Sequence, residues 1–273
     1  MRRLLVFLRS LLVTSLLAPY ALLLVMTIGS GWTYPGLVPD RIDFAPWQRL
    51  ASDREGLIRS IALSLSISGL VGATATAVGL FAGRALRRTT SRFARLILYL
   101  PFAASPVVVG VTLYDLMVRV QLAGTALGVI ALQGIFASAM ATIYFSSSWS
   151  SRTDRLEQMV RTLGGGRWSV WRHAIWPRSK GLVQVCFVQT ALYSWIDYGF
   201  AATIGGGQVQ TVTLRLFAYL REANVNQAAL ASLVLFVPAL VGCIVSGLAT
   251  INHKESPDHG ASNPGRSLFR EVG

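Results

Sequence analysis

Acidic residues are scarce in this sequence: 12 Asp and Glu stand against 25 Lys and Arg, and charged residues of both signs make up only 14% of 273 positions. With 53% hydrophobic residues, this composition argues against a soluble globule and favours a chain whose solvent is the lipid bilayer. A net charge of +13 would suggest nucleic-acid binding in a soluble protein. Here the basic residues fall in blocks between apolar runs, as topology signals do, so we expect membrane lipid and no nucleic acid as a partner.

Cysteine and histidine are also rare, and their positions argue against several chemistries. Cys186 and Cys243 lie within apolar runs, which favours packing over a disulfide or a metal site. His173, His253 and His259 are too scattered for a metal cluster. The sequence has no phosphate-binding loop of the G-x-x-x-x-G-K-[ST] kind and no serine in a nucleophile elbow. We therefore expect no catalytic residue, no metal and no cofactor in this chain, which is not predicted to be an enzyme.

Six apolar runs are long enough to cross a bilayer core of about 30 Å, which takes roughly 20 helical residues. They are Leu11 to Ile28, Ser60 to Ala82, Leu96 to Val118, Leu122 to Phe145, Leu182 to Ile204 and Ala228 to Ile251. The predicted fold class is an all-α polytopic membrane protein with about six transmembrane helices. A cleavable signal peptide competes for the first run, but its length, Pro19 and the lack of an A-x-A site favour an uncleaved helix.

The predicted organisation has four parts. They are an N-terminal segment with the first transmembrane helix (1–28), an outer loop (29–59), a core (60–251) that contains a polar loop at 146–181, and a tail (252–273) whose composition predicts disorder. Basic residues next to a helix end resist translocation, so the more basic side faces the cytoplasm. With the N-terminus inside, 18 of the 25 Lys and Arg residues lie on the inner side. Both termini are therefore predicted to be cytoplasmic.

Two prolines and one acid mark candidate pathway positions. Pro101 and Pro106 free backbone carbonyls and predict a bend or break in the third helix, either as an ordinary kink or as part of a pathway. Asp197 is the only acid deep in an apolar run, and such residues are functional candidates. It lies about 24 Å up its helix, near the outer face, where it could line a path, cap a helix, or pair with Arg215 or Arg221.

Glycines spaced four apart recur at Gly79 and Gly83 and again at Gly124 and Gly128. This spacing lets two helix backbones approach closely, and packing within the chain is its simplest interpretation.

A polar, basic stretch from Arg152 to Lys180 separates the fourth and fifth apolar runs. It carries seven Arg or Lys residues and two acids, Asp154 and Glu157, which suits a cytosolic docking surface better than a buried hairpin. We expect a partner outside the membrane to bind here.

Within this stretch, Leu156 to Gly164 (LEQMVRTLG) resembles the EAA loop, the cytoplasmic signature of binding-protein-dependent ABC importer permeases. In that family a Glu-Ala-Ala triplet precedes a glycine, and a short apolar stretch then ends in a proline. Gly164 and Pro177 match, while the triplet positions hold Gln158, Met159 and Val160, and Trp176 stands where leucine is usual. Further similar stretches, in the family's order from Ser60 to Leu235, are Leu63 to Ser68, Leu100 to Gly110, Asp197 to Thr203 and Thr211 to Leu214.

The resemblance implies a MetI-like permease subunit of the bacterial inner membrane that imports a small solute by alternating access. Implied partners are a second permease copy or paralogue, two ATPase subunits that hold ATP and Mg²⁺, and an external solute-binding protein. The stretch from Asp197 to Phe200, with glycines at 205–207, looks most like the branch that handles thiamine, ferric iron, polyamines and small oxyanions.

The resemblance also implies how the loop works. One helix would end at Gly164, and a second, about Trp168 to Ile175, would be the coupling helix that seats in a cleft of the ATPase. The residues expected to couple to the ATPase are Glu157, Gly164, Arg167, Trp168, Trp171, Arg172 and Pro177. Trp168, Trp171 and Trp176 would act as apolar anchors, or else lie at the headgroup level as aromatic belts do.

Two other classes compete with this interpretation. A secondary transporter or channel would need buried ionisable residues near the bilayer midplane, and Asp197 lies too far out. A membrane-embedded enzyme would need a cluster of His, Asp or Ser near one membrane face, and the sequence has no evident one.

Overall fold

The computed structural model describes residues 2–30, 41–52, 56–89, 91–149 and 151–254, most of which are helical. The helices are α1 Arg2–Ile28, α2 Ala45–Ala51, α3 Leu57–Arg88, α4 Arg92–Tyr99, α5 Pro106–Arg119, α6 Ala126–Ser148, α7 Ser151–Thr162, α8 Arg167–Val170, α9 Trp176–Ile196, α10 Gly199–Thr203, α11 Val212–Arg221 and α12 Val225–Lys254. A 3-10 turn spans Leu100–Ala103 and a π-helical segment spans Trp171–Ile175. Two short strands, β1 Gly29–Ser30 and β2 Arg41–Ile42, pair antiparallel.

Four of these helices are long and apolar enough to cross a membrane, at Val6–Ile28, Leu57–Arg87, Ala126–Ser148 and Val225–Gly247, and a bent helix pair raises the number to five. The predicted all-α polytopic fold is confirmed. Of the predicted tail, only 252–254 is described, as the last turn of α12, and 255–273 lies outside the described residues.

The fifth predicted run, Leu182 to Ile204, is divided in the structure. Helix α9 ends at Ile196, Asp197 is its extended C-cap, and α10 follows from Gly199. Helix α9 is also less apolar than the other long helices, because Lys180, Gln184 and Gln189 interrupt its hydrophobic sequence. The predicted span was therefore wrong in its outer part, where a polar cap replaces continuous helix.

The third predicted span is broken, as its prolines predicted. Helices α4 and α5 with the 3-10 turn form a pair bent by 97°. Pro106 is the first residue of α5, where its missing N–H removes no hydrogen bond within the helix. Ser105 caps that helix, since its hydroxyl oxygen accepts from the Val108 amide at 3.5 Å. Pro101 lies in the 3-10 turn. The chain therefore changes direction between residues 99 and 106.

Helices α3 and α6 form the centre of the bundle and pack through glycine. A Cβ on Gly79 would overlap Ala141, and one on Gly83 would lie 2.7 Å from the Cβ of Phe145. The first predicted glycine pair is thus an intrachain packing site. The second prediction was wrong, because Gly124 precedes α6 in a turn with φ of +74° and only Gly128 is helical.

Helix α1 packs on α12 at the edge of this bundle. The rings of Tyr20 and Phe236 stack with centroids 3.7 Å apart, and the Asn226 side-chain amide donates to the Met26 carbonyl at 3.0 Å. Most described side chains of α1 are otherwise exposed. That apolar surface suits lipid or another subunit.

Candidate functional site

The polar loop folds as two helices joined at a glycine. Helix α7 ends as predicted, because Gly164 has φ of +81°, a conformation that glycine adopts without steric cost. The Gly165 amide donates to the Val160 carbonyl at 2.9 Å, and the Gly164 amide donates to the Arg161 carbonyl at 3.0 Å. These two bonds form a Schellman motif, which satisfies carbonyls at the end of α7 and turns the chain into α8.

The second helix of the loop differs from the prediction. It begins at Arg167 and continues through the π-helical segment into α9, with the junction residues all in right-handed helical conformation. Pro177 therefore lies in the first turn of α9 and does not end a helix. The Trp176 amide donates to the Trp171 carbonyl, five residues back, as in a π-helix. This wider turn makes room for the ring of Pro177, which would clash with a carbonyl in a regular α-helix.

Three apolar side chains of the loop are strongly exposed: Met159 at 61%, Leu163 at 79% and Trp168 at 71%. Arg167 and Arg172 are exposed close to Trp168 in sequence. Large exposed apolar side chains within a polar segment are typical of interaction sites. Met159, Leu163 and Trp168 are named here the exposed apolar set.

The other predicted anchors are placed differently. Trp171 is half-buried, and its ring stacks on Phe81 of α3 at 5.8 Å between centroids. Trp176 is 47% exposed, with its ring 6.4 Å from that of Trp171. Trp171 therefore faces the helix bundle of its own chain and is less available to a partner than Trp168.

Glu157 also faces the bundle. It is only 5% exposed, and its two carboxylate oxygens pair separately with Arg84 of α3 and with Arg161 at 2.9 Å. We expected this side chain among the partner contacts. Its partner Arg84 lies 73 positions away, and no motif indicates that pairing.

The predicted pathway acid, Asp197, joins three helices. Its Oδ2 accepts from the Gln133 side chain of α6 at 3.0 Å and from the Phe200 and Ala201 amides of α10 at 3.1 and 3.3 Å. Ser194 of α9 donates to the Gln133 oxygen at 2.6 Å. Of the alternatives expected for Asp197, these bonds are those of a helix cap, and its amide partners take the place of Arg215 or Arg221. Gln133 and Ser194 were missed, since polar residues in apolar runs have no distinctive spacing.

Helix α10 brings the proline break and the acid together. A Cβ on Gly199 would lie 2.8 Å from Pro106, and one on Gly110 would overlap Thr203. The start of α5 thus packs on the helix that Asp197 caps. Pro101 lies beyond this contact, in the 3-10 turn. Across the described residues, no group of three or more His, Cys, Asp or Glu side chains is placed to hold a metal.

The family described as binding-protein-dependent transport system inner membrane component matches residues 75–253, which include the loop, the proline break and α10. The chain belongs to this family of ABC importer permeases. Membership makes the permease a multi-pass transport subunit, generally non-enzymatic, and implies ATPase and binding-protein partners in general terms. It does not favour the alternative of a secondary transporter or channel.

Two solved structures share the fold of this permease. One is an inward-facing MetNI methionine ABC transporter, with 15% identity and a TM-score of 0.54 over 71% of this chain and 95% of that chain. The other is a bacterial ABC transporter involved in import of the acidic polysaccharide alginate, with 16% identity and a TM-score of 0.62 over 93% and 95%. At these identities the likeness concerns fold alone. The search of curated proteins finds no match.

Proposed function

We propose that this permease moves a small solute, delivered by an external binding protein, across the bacterial inner membrane by alternating access. Two ATPase subunits, which carry ATP and Mg²⁺, bind the segment 151–175, and a second permease copy or paralogue completes the pathway. Closure of the ATPases draws the two loops together, and the helix bundles tilt between inward-open and outward-open states. Both termini and the loop are cytoplasmic in this proposal.

The exposed apolar set carries the proposal. Leu163 directly follows α7, and its amide still donates to the Met159 carbonyl at 3.2 Å, so the Met159 and Leu163 side chains share one face. Trp168 follows the Gly164 turn. A buried tryptophan anchor with an arginine rim is a common arrangement in protein interfaces, and truncation of such an anchor costs about 2–4 kcal/mol of binding. Arg167 and Arg172 supply that rim, while Gly164 and Pro177 shape the two ends of the loop.

For the solute, we propose the branch that handles thiamine, ferric iron, polyamines and small oxyanions. The support is the stretch from Asp197 to Gly207, where α10 contacts the start of α5. Pro106 and Asp197 lie at this contact and Pro101 lies beyond it in the 3-10 turn, and all three are proposed to border the pathway. Uptake by proteoliposomes that contain the permease, its ATPase and its binding protein, tested with one solute of each kind, separates the members of the branch.

The docking surface is tested by Trp168→Ala. We expect the amount of ATPase that co-purifies with the permease to fall at least about ten-fold, because 1.4 kcal/mol of lost binding already gives that factor. Trp47→Ala is the matched control, since Trp47 is also exposed, at 40%, but lies on α2 outside the loop.

Equal loss in the two tryptophan variants would point to a general folding effect. Full ATPase recovery with Trp168→Ala would contradict the docking assignment.

A further inference from the structure

Two ion pairs connect the loop to the end of α3. Arg84 pairs with Glu157, and Arg87 pairs with Asp154 at 3.3 Å. On each helix the two members are three residues apart and therefore share a face. The order is reversed between the helices, since the later α3 residue pairs with the earlier α7 residue. Helix α7 thus runs antiparallel along α3 at this point, held at two successive positions.

The two ion pairs differ in burial. The Asp154 side chain is 51% exposed, whereas that of Glu157 is 6% exposed and has a guanidinium on each oxygen. A half-exposed pair is screened by water and contributes little. A buried carboxylate depends on its partners, because an uncompensated charge at a buried position is costly. Glu157 is therefore the member that fixes α7.

Arg84 is well placed to hold this carboxylate. It follows Gly83, where α3 approaches the backbone of α6 so closely that a Cβ would lie 2.7 Å from Phe145. Its side chain is 28% exposed, so the pair lies at the edge of the packed bundle. A cavity of about 490 Å³, lined by both ion pairs and by Trp149 and Ile175, lies beside it. Apolar packing is thus incomplete here, which leaves the charges as a main link between α7 and α3.

We propose that Glu157 is a positioning residue that locks α7 to α3, so that a push on the loop moves the α3–α6 pair with it. Arg84 is its receptor on α3, and Arg161 holds the second carboxylate oxygen. Glu157 thus acts inside the permease and makes no contact with the ATPase. This inference rests on the proposed function for its role in transport, while the lock itself is a property of the permease chain.

The lock is tested by the distance between spin labels on α7 and α3. Arg155→Cys and Val78→Cys carry the labels in a Cys243→Ser background, because Arg155 and Val78 are exposed, Arg155 lies on α7 outside the exposed apolar set, and Cys243 is the exposed native cysteine. Distances are measured on the permease alone, and on its complex with the ATPase, with and without ATP and vanadate. The test variants are Glu157→Gln and Arg84→Gln. Arg84→Lys is the conservative rescue, since it retains the charge.

We expect a narrow distance distribution in the parent that ATP and vanadate leave unchanged. In Glu157→Gln and in Arg84→Gln the width should roughly double, and ATP with vanadate should shift the mean, because α7 then moves without α3. Arg84→Lys should restore the narrow distribution at least in part. The double variant should be no worse than either single variant, because the two side chains act as one unit.

Asp115→Asn is the matched control. It also removes a carboxylate from an i,i+4 pair with arginine, but that pair on α5 is more than 70% exposed. It should leave the distance unchanged.

An unchanged distribution in Glu157→Gln would overturn the lock. So would a parent whose α7–α3 distance shifts with ATP, since the helices would then not move together. Loss of the co-purified ATPase in Glu157→Gln but not in Arg84→Gln would instead make Glu157 a direct partner contact. A parent that binds no ATPase would overturn the proposed function, whereas the distances on the permease alone would still decide the lock.

Discussion

At the scale of single residues, Gly164 gives the sharpest test of the loop. A Cβ there would meet no atom within 4 Å, so only its φ of +81° opposes a side chain. Gly164→Val should cost at least about 1–2 kcal/mol in that conformation and reorient α7 against α8. We expect normal membrane insertion but loss of ATP-driven uptake in proteoliposomes.

Gly166→Ala is the control for this substitution. Gly166 is equally open but has φ of −69°, which alanine adopts freely, so uptake should be unchanged. Normal uptake with Gly164→Val would refute the coupling role of the turn.

Two substitutions of Asp197 separate its role as a helix cap from the effect of its charge. Asp197→Ala leaves the Gln133 amide and two α10 amides without their acceptor, at about 1–3 kcal/mol for each buried group. Asp197→Asn keeps one oxygen for these donors. We expect the apparent Tm of the purified permease to fall clearly for alanine and to stay near wild type for asparagine.

An unchanged Tm for Asp197→Ala would contradict the capping role. Uptake that falls in Asp197→Asn at constant Tm would show that the charge serves the pathway. Unaltered uptake would assign Asp197 to structure alone.

At the scale of helices, the α3–α6 contact depends on a residue without a side chain. Gly79→Val should force the two helices apart, since its Cβ would overlap Ala141, and overpacking of this kind typically costs about 1–3 kcal/mol. The apparent Tm in detergent is the measurement. Gly69→Val lies on the same helix with no atom within 4 Å of its Cβ, so it should change Tm little. Equal shifts would show that helix propensity, and not packing, explains the loss.

Much of the helical framework could be predicted because its signals are local. Apolar runs, the prolines at 101 and 106, and the glycine at 164 each act through their own backbone. The end of α9 could not be predicted, since an apolar run continues to Ile204. What ends the helix is a carboxylate at 197 that has Gln133 of another helix as a partner.

The site was less predictable than the fold for the same reason. A motif shows which residues lie in the loop but not which way they face. Glu157 and Trp171 turn toward Arg84 and Phe81 of α3, and neither distant partner carries a signature in sequence. Of the three tryptophans expected as anchors, Trp168 is the most exposed, at 71%.

At the scale of the whole molecule, the charge count predicts an orientation. Met159→Cys in the loop should react with a membrane-impermeant maleimide only from the cytoplasmic side. Ile42→Cys, 75% exposed on β2 in the predicted outer loop, should react only from outside. Both are made in the Cys243→Ser background and measured on intact cells and inverted vesicles. Labelling of Met159→Cys in intact cells would reverse the topology.

The π-helical segment Trp171–Ile175 determines how far α8 is rotated about the helix axis relative to α9. A π turn accommodates one residue more than the α turn it replaces, and each helical residue turns the chain by about 100°. With one residue fewer here, α8 would be rotated by about that angle relative to α9, while the composition of the loop would hardly change. The direction in which Trp168 points therefore depends on the number of residues in this segment. Insertions or deletions between 167 and 177 should change that direction more than substitutions do.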